Sequence, residues 1–315
     1  MGRYILKRVG YTIITLFALC ALTFVIMRLL PGDPFIGEKA IPANVLENLN
    51  KKYGLDKPVF QQFIIYVGNM LRGDLGTSIQ YNRDVTTIIS ESFTTSFDLG
   101  IRSLIFAVIM GILLGVVAAV KRGKLTDTVT MLIAILGVSV PSFIVGAVLQ
   151  YYLGLQLFQA TGVRIFAITG WKEFNSKILP AFALSFSSMA TISRLMRTSM
   201  LDVLGQDYIK TARAKGLSNT ATILKHALRN AILPVITVLG PITASVLTGA
   251  FVVEQIFSIP GLGKFFVTSL QNLDYTMISG TTMFYGAFLI IANFLVDIAY
   301  GFIDPRVKLE AGGAE

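Results

Sequence analysis

The chain has 315 residues, of which 54% are hydrophobic and only 14% charged, with a mean hydropathy of +0.69. A soluble globular domain carries roughly a quarter charged residues, so this composition excludes a single water-soluble domain and fits a multi-span helical membrane protein. The net charge of +9 lies beside the apolar runs, not in an extended basic tail or an aromatic-interleaved patch, which argues for membrane topology and against a nucleic-acid partner.

Arg3, Lys7 and Arg8 precede an apolar run over residues 11–30. A cleaved leader begins the same way, but this run is longer than such a core and ends in MRLLPGDP without a small-x-small cleavage site. Residues 1–30 therefore read as a cytoplasmic N-terminus and a retained first span. Cys20, the only cysteine, lies inside it, which leaves no intrachain disulfide and no thiolate metal cluster.

Residues 31–96 form a long polar segment with two amphipathic helical patterns. One uses Val45, Leu46, Leu49 and Tyr53 and stops at Gly54; the other uses Phe60, Phe63, Ile64, Val67 and Leu71. Both are too short to cross a hydrocarbon core of about 30 Å, and the segment is expected to cap the extracytoplasmic surface.

Five further spans are expected at 97–120, 125–155, 178–196, 231–253 and 278–303, making a transmembrane core over 97–303 and a tail over 304–315. Gly111 and Gly115 in the second span have the spacing that allows close helix contact. Pro141, Pro234 and Pro241 interrupt or start apolar runs, either as ordinary packing devices or as bends around a cavity. In a six-span layout the N-terminus, the KRGK loop at 121–124, the stretch at 207–234 and the tail with Arg306 and Lys308 share one side. That side is richer in Lys and Arg, so both termini are expected to be cytoplasmic.

Few residues offer bond chemistry. His226 is the only histidine and has no carboxylate close in sequence to orient it. SIPGLGKFF has Ser258 where a phosphate-binding loop needs its first glycine and Phe265 where it needs Ser or Thr; GKLT fails likewise at Ala118 and Leu125. Charges within spans are costly and need a reason. Asp98 and Arg102, four apart on one helix face, are expected to pair; Arg28, Arg194 and Arg197 lie near span ends and can reach the headgroups. Asp297 sits deep in the last span and faces either a neighbouring helix, as a packing hydrogen bond, or the solute path.

The stretch 207–234 is polar among apolar runs. Leu201, Leu204, Tyr208 and Ala212 recur at helical spacing up to Gly216, a natural stop. Ser218 or Asn219 can cap a second helix whose Leu224, Leu228 and Ala231 form an apolar stripe opposite Thr222, Lys225 and Arg229. The product is a helix, a glycine turn and a second helix, projecting into the cytoplasm.

TARAKG at 211–216 followed by ILP at 232–234 resembles the EAA signature of ABC importer permeases, and the eighteen-residue step from Gly216 to Pro234 is similar to the peptide and nickel branch. RLLPGDP, YGLDKP, GDLGTS, ARAKGL, ALRNAILP, VVEQIFSIPGLG and the terminal DPR, in that order, resemble the B-type permease of bacterial dipeptide and oligopeptide importers. The resemblance implies an all-α fold of six transmembrane helices, the type I importer permease, in the inner membrane. It implies no catalytic residue or cofactor in this chain, ATP and Mg being bound by two partner ATPases. It further implies a second homologous permease, an external binding protein and a peptide solute, with nickel, glutathione or another small solute as the alternative; a proton-coupled secondary transporter is the competing reading from a different class. Asp207, Thr211, Ala212, Ala214, Lys215 and Gly216 are then the coupling residues of the loop at 199–230. Thr211 stands where the signature has Glu, with Asp207 the acid available in its place.

Overall fold

A computed structural model describes residues 2–29, 56–248 and 250–303, with the side chains at 2–5, 7, 27, 248 and 296–303 outside that description. The pattern from Val45 to Tyr53, the tail with Asp304, Arg306 and Lys308, and the Asp297 side chain lie outside the described residues. The described elements are helices: α1 (Gly2–Leu29), α2 (Val59–Leu71), α3 (Val85–Val120), α4 (Leu125–Ser139), α5 (Ser142–Thr161), α6 (Phe174–Leu204), α7 (Asp207–Ala214), α8 (Asn219–Ala231), α9 (Leu233–Thr248), α10 (Phe251–Ile256), α11 (Leu262–Gln271) and α12 (Tyr275–Ile303). Five of them are long and apolar enough to cross a membrane, and the pair Asn219–Ala231 and Leu233–Leu247, bent by 53°, makes a sixth.

Besides an α6 that runs over Phe174–Leu204 instead of 178–196 and an α5 that runs on to Thr161, three departures from the expected spans change their start or continuity. The second begins at Val85, twelve residues before position 97, because Val85, Ile88, Ile89, Ser92 and Ser96 keep one buried face through the polar stretch TTIISESFTTS. The third is broken: Val140 is extended at φ −93° and ψ 123°, as the ring of the following Pro141 requires, and α5 restarts at Ser142 as an α-helix that passes into a π-helical segment at Gln150–Gln156. The fifth bends at Ile232, where Pro234 enters the first turn of α9 without a hydrogen bond to lose.

The chain divides into two compact units, residues 96–260 and residues 1–95 with 261–315. In the first unit α6 is the central element. Leu184, Met189, Ile192, Ser193, Met196 and Met200 of α6 are buried, and its neighbours meet it through glycines. A Cβ at Gly111 or Gly115 of α3 would lie 2.8 Å from Ile192 Cβ or 2.6 Å from Met196 Cβ, and one at Gly137 of α4 would lie 2.6 Å from Ala190 Cβ. Backbones approach this closely only where no side chain intervenes, so the small-residue spacing of the second span has α6 as its partner.

In the second unit α1 and α12 pack side by side, Gly286 receiving Leu19. Edge-to-face rings join Phe24 to Phe63 of α2 and Phe93 to Phe284. The turn before α12 is held by Asp274, almost fully buried. Its carboxylate accepts hydrogen bonds from the Ser78 hydroxyl, from the amides of Ile79 at 3.3 Å and Gln80 at 3.1 Å, and from Met277 N–H at 3.1 Å. One side chain thus caps α12 and anchors the loop at 78–80.

Candidate functional site

α7 has eight residues, too few to hold a helix in water by propensity alone. It is held by two side chains: Ile209 is fully buried in the cluster built by Met196, Met200, Ala227 and Ala231, and Ala212 is buried one turn later. The helix ends in a paired glycine cap. Gly216, at φ +80°, donates its N–H to Arg213 O at 2.9 Å, and Leu217 N–H reaches Ala212 O at 3.3 Å. These two bonds satisfy carbonyls left open at the helix end, and glycine takes the left-handed conformation without a Cβ penalty. Ser218 then caps α8 through its hydroxyl, which accepts from Ala221 N–H at 3.3 Å.

The face turned away from the core carries Asp207, Thr211, Ala214, Lys215 and Gly216, all exposed. Asp207 pairs with Lys210 at 2.9 Å, an exposed contact of small energetic weight. The Thr211 hydroxyl donates to the carbonyl of Asp207 at 3.0 Å. Of the six residues expected to couple, five form one exposed patch, and Ala212 lies beneath it.

Two details of the helical reading are corrected. Leu201, Leu204, Tyr208 and Ala212 do not run along one helix: α6 ends at Leu204, Gly205 and Gln206 intervene, and α7 starts afresh. Tyr208 is consequently exposed, its hydroxyl accepting from Asn230 Nδ2 at 2.8 Å, and Ile209 takes the buried position. The stripe on α8 is also turned. Leu224 is exposed while Thr222, Ala227 and Ala231 are buried. The cause is the π-helical segment Thr222–Ala227, whose wider turn advances the inward face by five residues before the four-residue step resumes.

Asp98 and Arg102 pair as expected, Nε to Oδ1 at 2.8 Å, but the pair is a triad. Lys177 Nζ donates to the other carboxylate oxygen at 3.1 Å and lies 5.2 Å from the centre of the Trp171 ring. Arg197, expected at the headgroups, instead holds Asp127. Nε meets Oδ1 at 2.6 Å and Nη2 meets Oδ2 at 2.8 Å, while Gly123 N–H donates to Oδ2 at 3.0 Å.

Sequence reasoning missed Asp127, Lys177 and Asp274. The local signals were an acid in the first turn of an apolar helix for Asp127 and an aspartate directly before one for Asp274. Lys177 carried no such signal, its partner lying 79 positions away.

Residues 111–309 match the family described as binding-protein-dependent transport system inner membrane component, and residues 1–100 match the N-terminal family of such membrane components. The dipeptide transport system permease protein DppB of Bacillus subtilis is 46% identical over 99% of this chain and its own full length. The DppB protein of Lactococcus lactis is 43% identical, and the oligopeptide transport system permease protein OppB of Haemophilus influenzae 39%, each over 98% of this chain and all of the relative. Among solved structures, the MetNI methionine ABC transporter in an inward-facing form has a chain that superposes with a TM-score of 0.52 at 15% identity, covering 69% of this chain and 94% of its own. An amino acid ABC transporter determined with histidines gives a TM-score of 0.52 at 14% identity, over 70% of this chain and 94% of that one. These two likenesses concern the fold.

Proposed function

Because the chain belongs to the family of binding-protein-dependent transport system inner membrane components, we propose that it forms half of the translocation path for dipeptides and oligopeptides. It is a multi-pass permease subunit of an ABC importer, the membrane component and not the ATPase. ATP and Mg are bound by two partner ATPases, and this chain performs no bond chemistry. An external binding protein delivers the solute, a second homologous permease completes the path, and both termini and α7 face the cytoplasm. Asp207, Thr211, Ala212, Ala214, Lys215 and Gly216 transmit force. Closure of the ATPases on ATP turns the paired permeases outward and hydrolysis resets them, the bias arising because ATP binds one state better than the other.

The observation that carries this reading is the α7 turn. A short helix rooted by Ile209 in the buried cluster around α6, with its other face exposed, is suited to receive a push from outside the membrane and pass it to a span. The test is uptake into proteoliposomes holding the full importer with its binding protein. Labelled dipeptide is expected to accumulate only with ATP on the ATPase side and to keep accumulating after a protonophore collapses the proton gradient. Loss of uptake with the gradient despite ample ATP would overturn the reading, and accumulation of nickel or glutathione in place of dipeptide would correct the solute.

A further inference from the structure

The ion pair between Asp127 and Arg197 joins three elements at the end of α6 that leads into α7. Arg197 lies two turns before Leu204, and Asp127 lies in the first turn of α4, directly after the turn at 121–124. At the same level α3 reaches α6 through Gly115, where a Cβ would stand 2.6 Å from Ser193 O and 3.1 Å from Arg197 N. The Asp127 side chain is 7% exposed and the Arg197 side chain 23%. Both carboxylate oxygens are used by the guanidinium fork, which constrains angle as well as distance.

We propose that Asp127 and Arg197 are positioning residues that lock the α3–α4 turn to the end of α6, so that movement of α7 is carried into the second and third spans together with the fourth. The inference rests on the coupling reading of α7. α7 meets the rest of the unit through apolar burial, Ile209 against Met196, Met200 and their neighbours, and through one exposed hydrogen bond from Asn230 Nδ2 to the Tyr208 hydroxyl. Apolar contact is non-directional and lets surfaces slide, whereas a two-pronged ion pair has one register. The bond to Gly123 N–H extends that register into the turn itself. Stability alone does not call for such a pair, since replacing a buried ion pair by well-packed apolar residues is often neutral or stabilising.

That comparison supplies the test. The full importer in proteoliposomes would carry Asp127→Leu with Arg197→Met, an apolar replacement of the pair, and separately Asp127→Asn. Peptide taken up per ATP hydrolysed is measured beside co-purification of the ATPases. The double variant is expected to retain the ATPases and hydrolyse ATP while uptake per ATP falls about tenfold, the size of a typical coupling free energy; Asp127→Asn is expected to shift the ratio in the same direction. An unchanged ratio in the double variant overturns the proposal, and so does loss of assembly in both variants, which makes the pair a folding element only. Failure of the coupling reading shows separately, as ATPases that stay bound and working when the α7 turn itself is altered.

Discussion

Thr211 turns its hydroxyl back onto its own helix, donating to Asp207 O, so at this position the chain presents a methyl group and a short polar edge where the signature presents a carboxylate. The exposed turn beside it is decided by Gly216. Among the described residues, apart from its two chain neighbours, no atom lies within 4 Å of where a Cβ would stand there, and the φ of +80° costs an L-residue roughly 1 kcal/mol. Gly216→Asp should therefore fold, and if the turn docks on the ATPases as proposed, the new side chain and charge fall in that contact: co-purification of the ATPases and transport are both expected to fall. If both are unchanged, the coupling assignment is wrong. Asp274 represents the opposite case, a residue whose whole effect is internal. Asp274→Ala strands the Ser78 hydroxyl and the amides of Ile79, Gln80 and Met277. The expected loss is about 3 kcal/mol, seen as a lower melting temperature of the purified protein and as earlier proteolysis at 73–84.

At the scale of elements, helix existence was legible and helix continuity was not. Apolar runs long enough for a bilayer announce six spans, and Ser218 and Gly216 mark the cap and stop that the structure contains. The break at Val140, the π-helical turn in α8 and the restart at Asp207 shift which residues face inward without changing how many are apolar. A count along the chain cannot see such a shift, which is why the apolar stripe read through Leu224 and the helical spacing read through Tyr208 both include an exposed residue. Close approach between elements can be tested directly. Gly115→Val puts a side chain into the space held by Met196 and Ser193 O, an overpacking expected to cost about 3 kcal/mol and to lower the yield of assembled complex. Gly10→Val, where a Cβ would meet no atom within 4 Å among the described residues outside its own helix backbone and its two chain neighbours, is the control and is expected to leave the yield unchanged.

For the whole molecule, Asp297 places an acid within the last span, where a charge is costly unless it meets protein or water. Asp297→Asn is expected to weaken assembly, as loss of a packing contact would, measured by recovery of the complex with its ATPases. Normal assembly with reduced uptake would instead mark the carboxylate as part of the solute path. The sequence by itself determined the solvent, the number of spans, the polar helical turn between the fourth and fifth, and the family, because composition, run length and ordered motifs are properties read along one dimension. Only the tertiary structure decided which helix receives the glycines of the second span, that Ile209 roots α7 in the core, and that Arg197 binds Asp127 across 70 positions of chain. The physical reason is that burial drives any apolar face inward without specifying its partner, whereas an ion pair or a close backbone approach exists only once two distant segments have been brought to within a few ångströms.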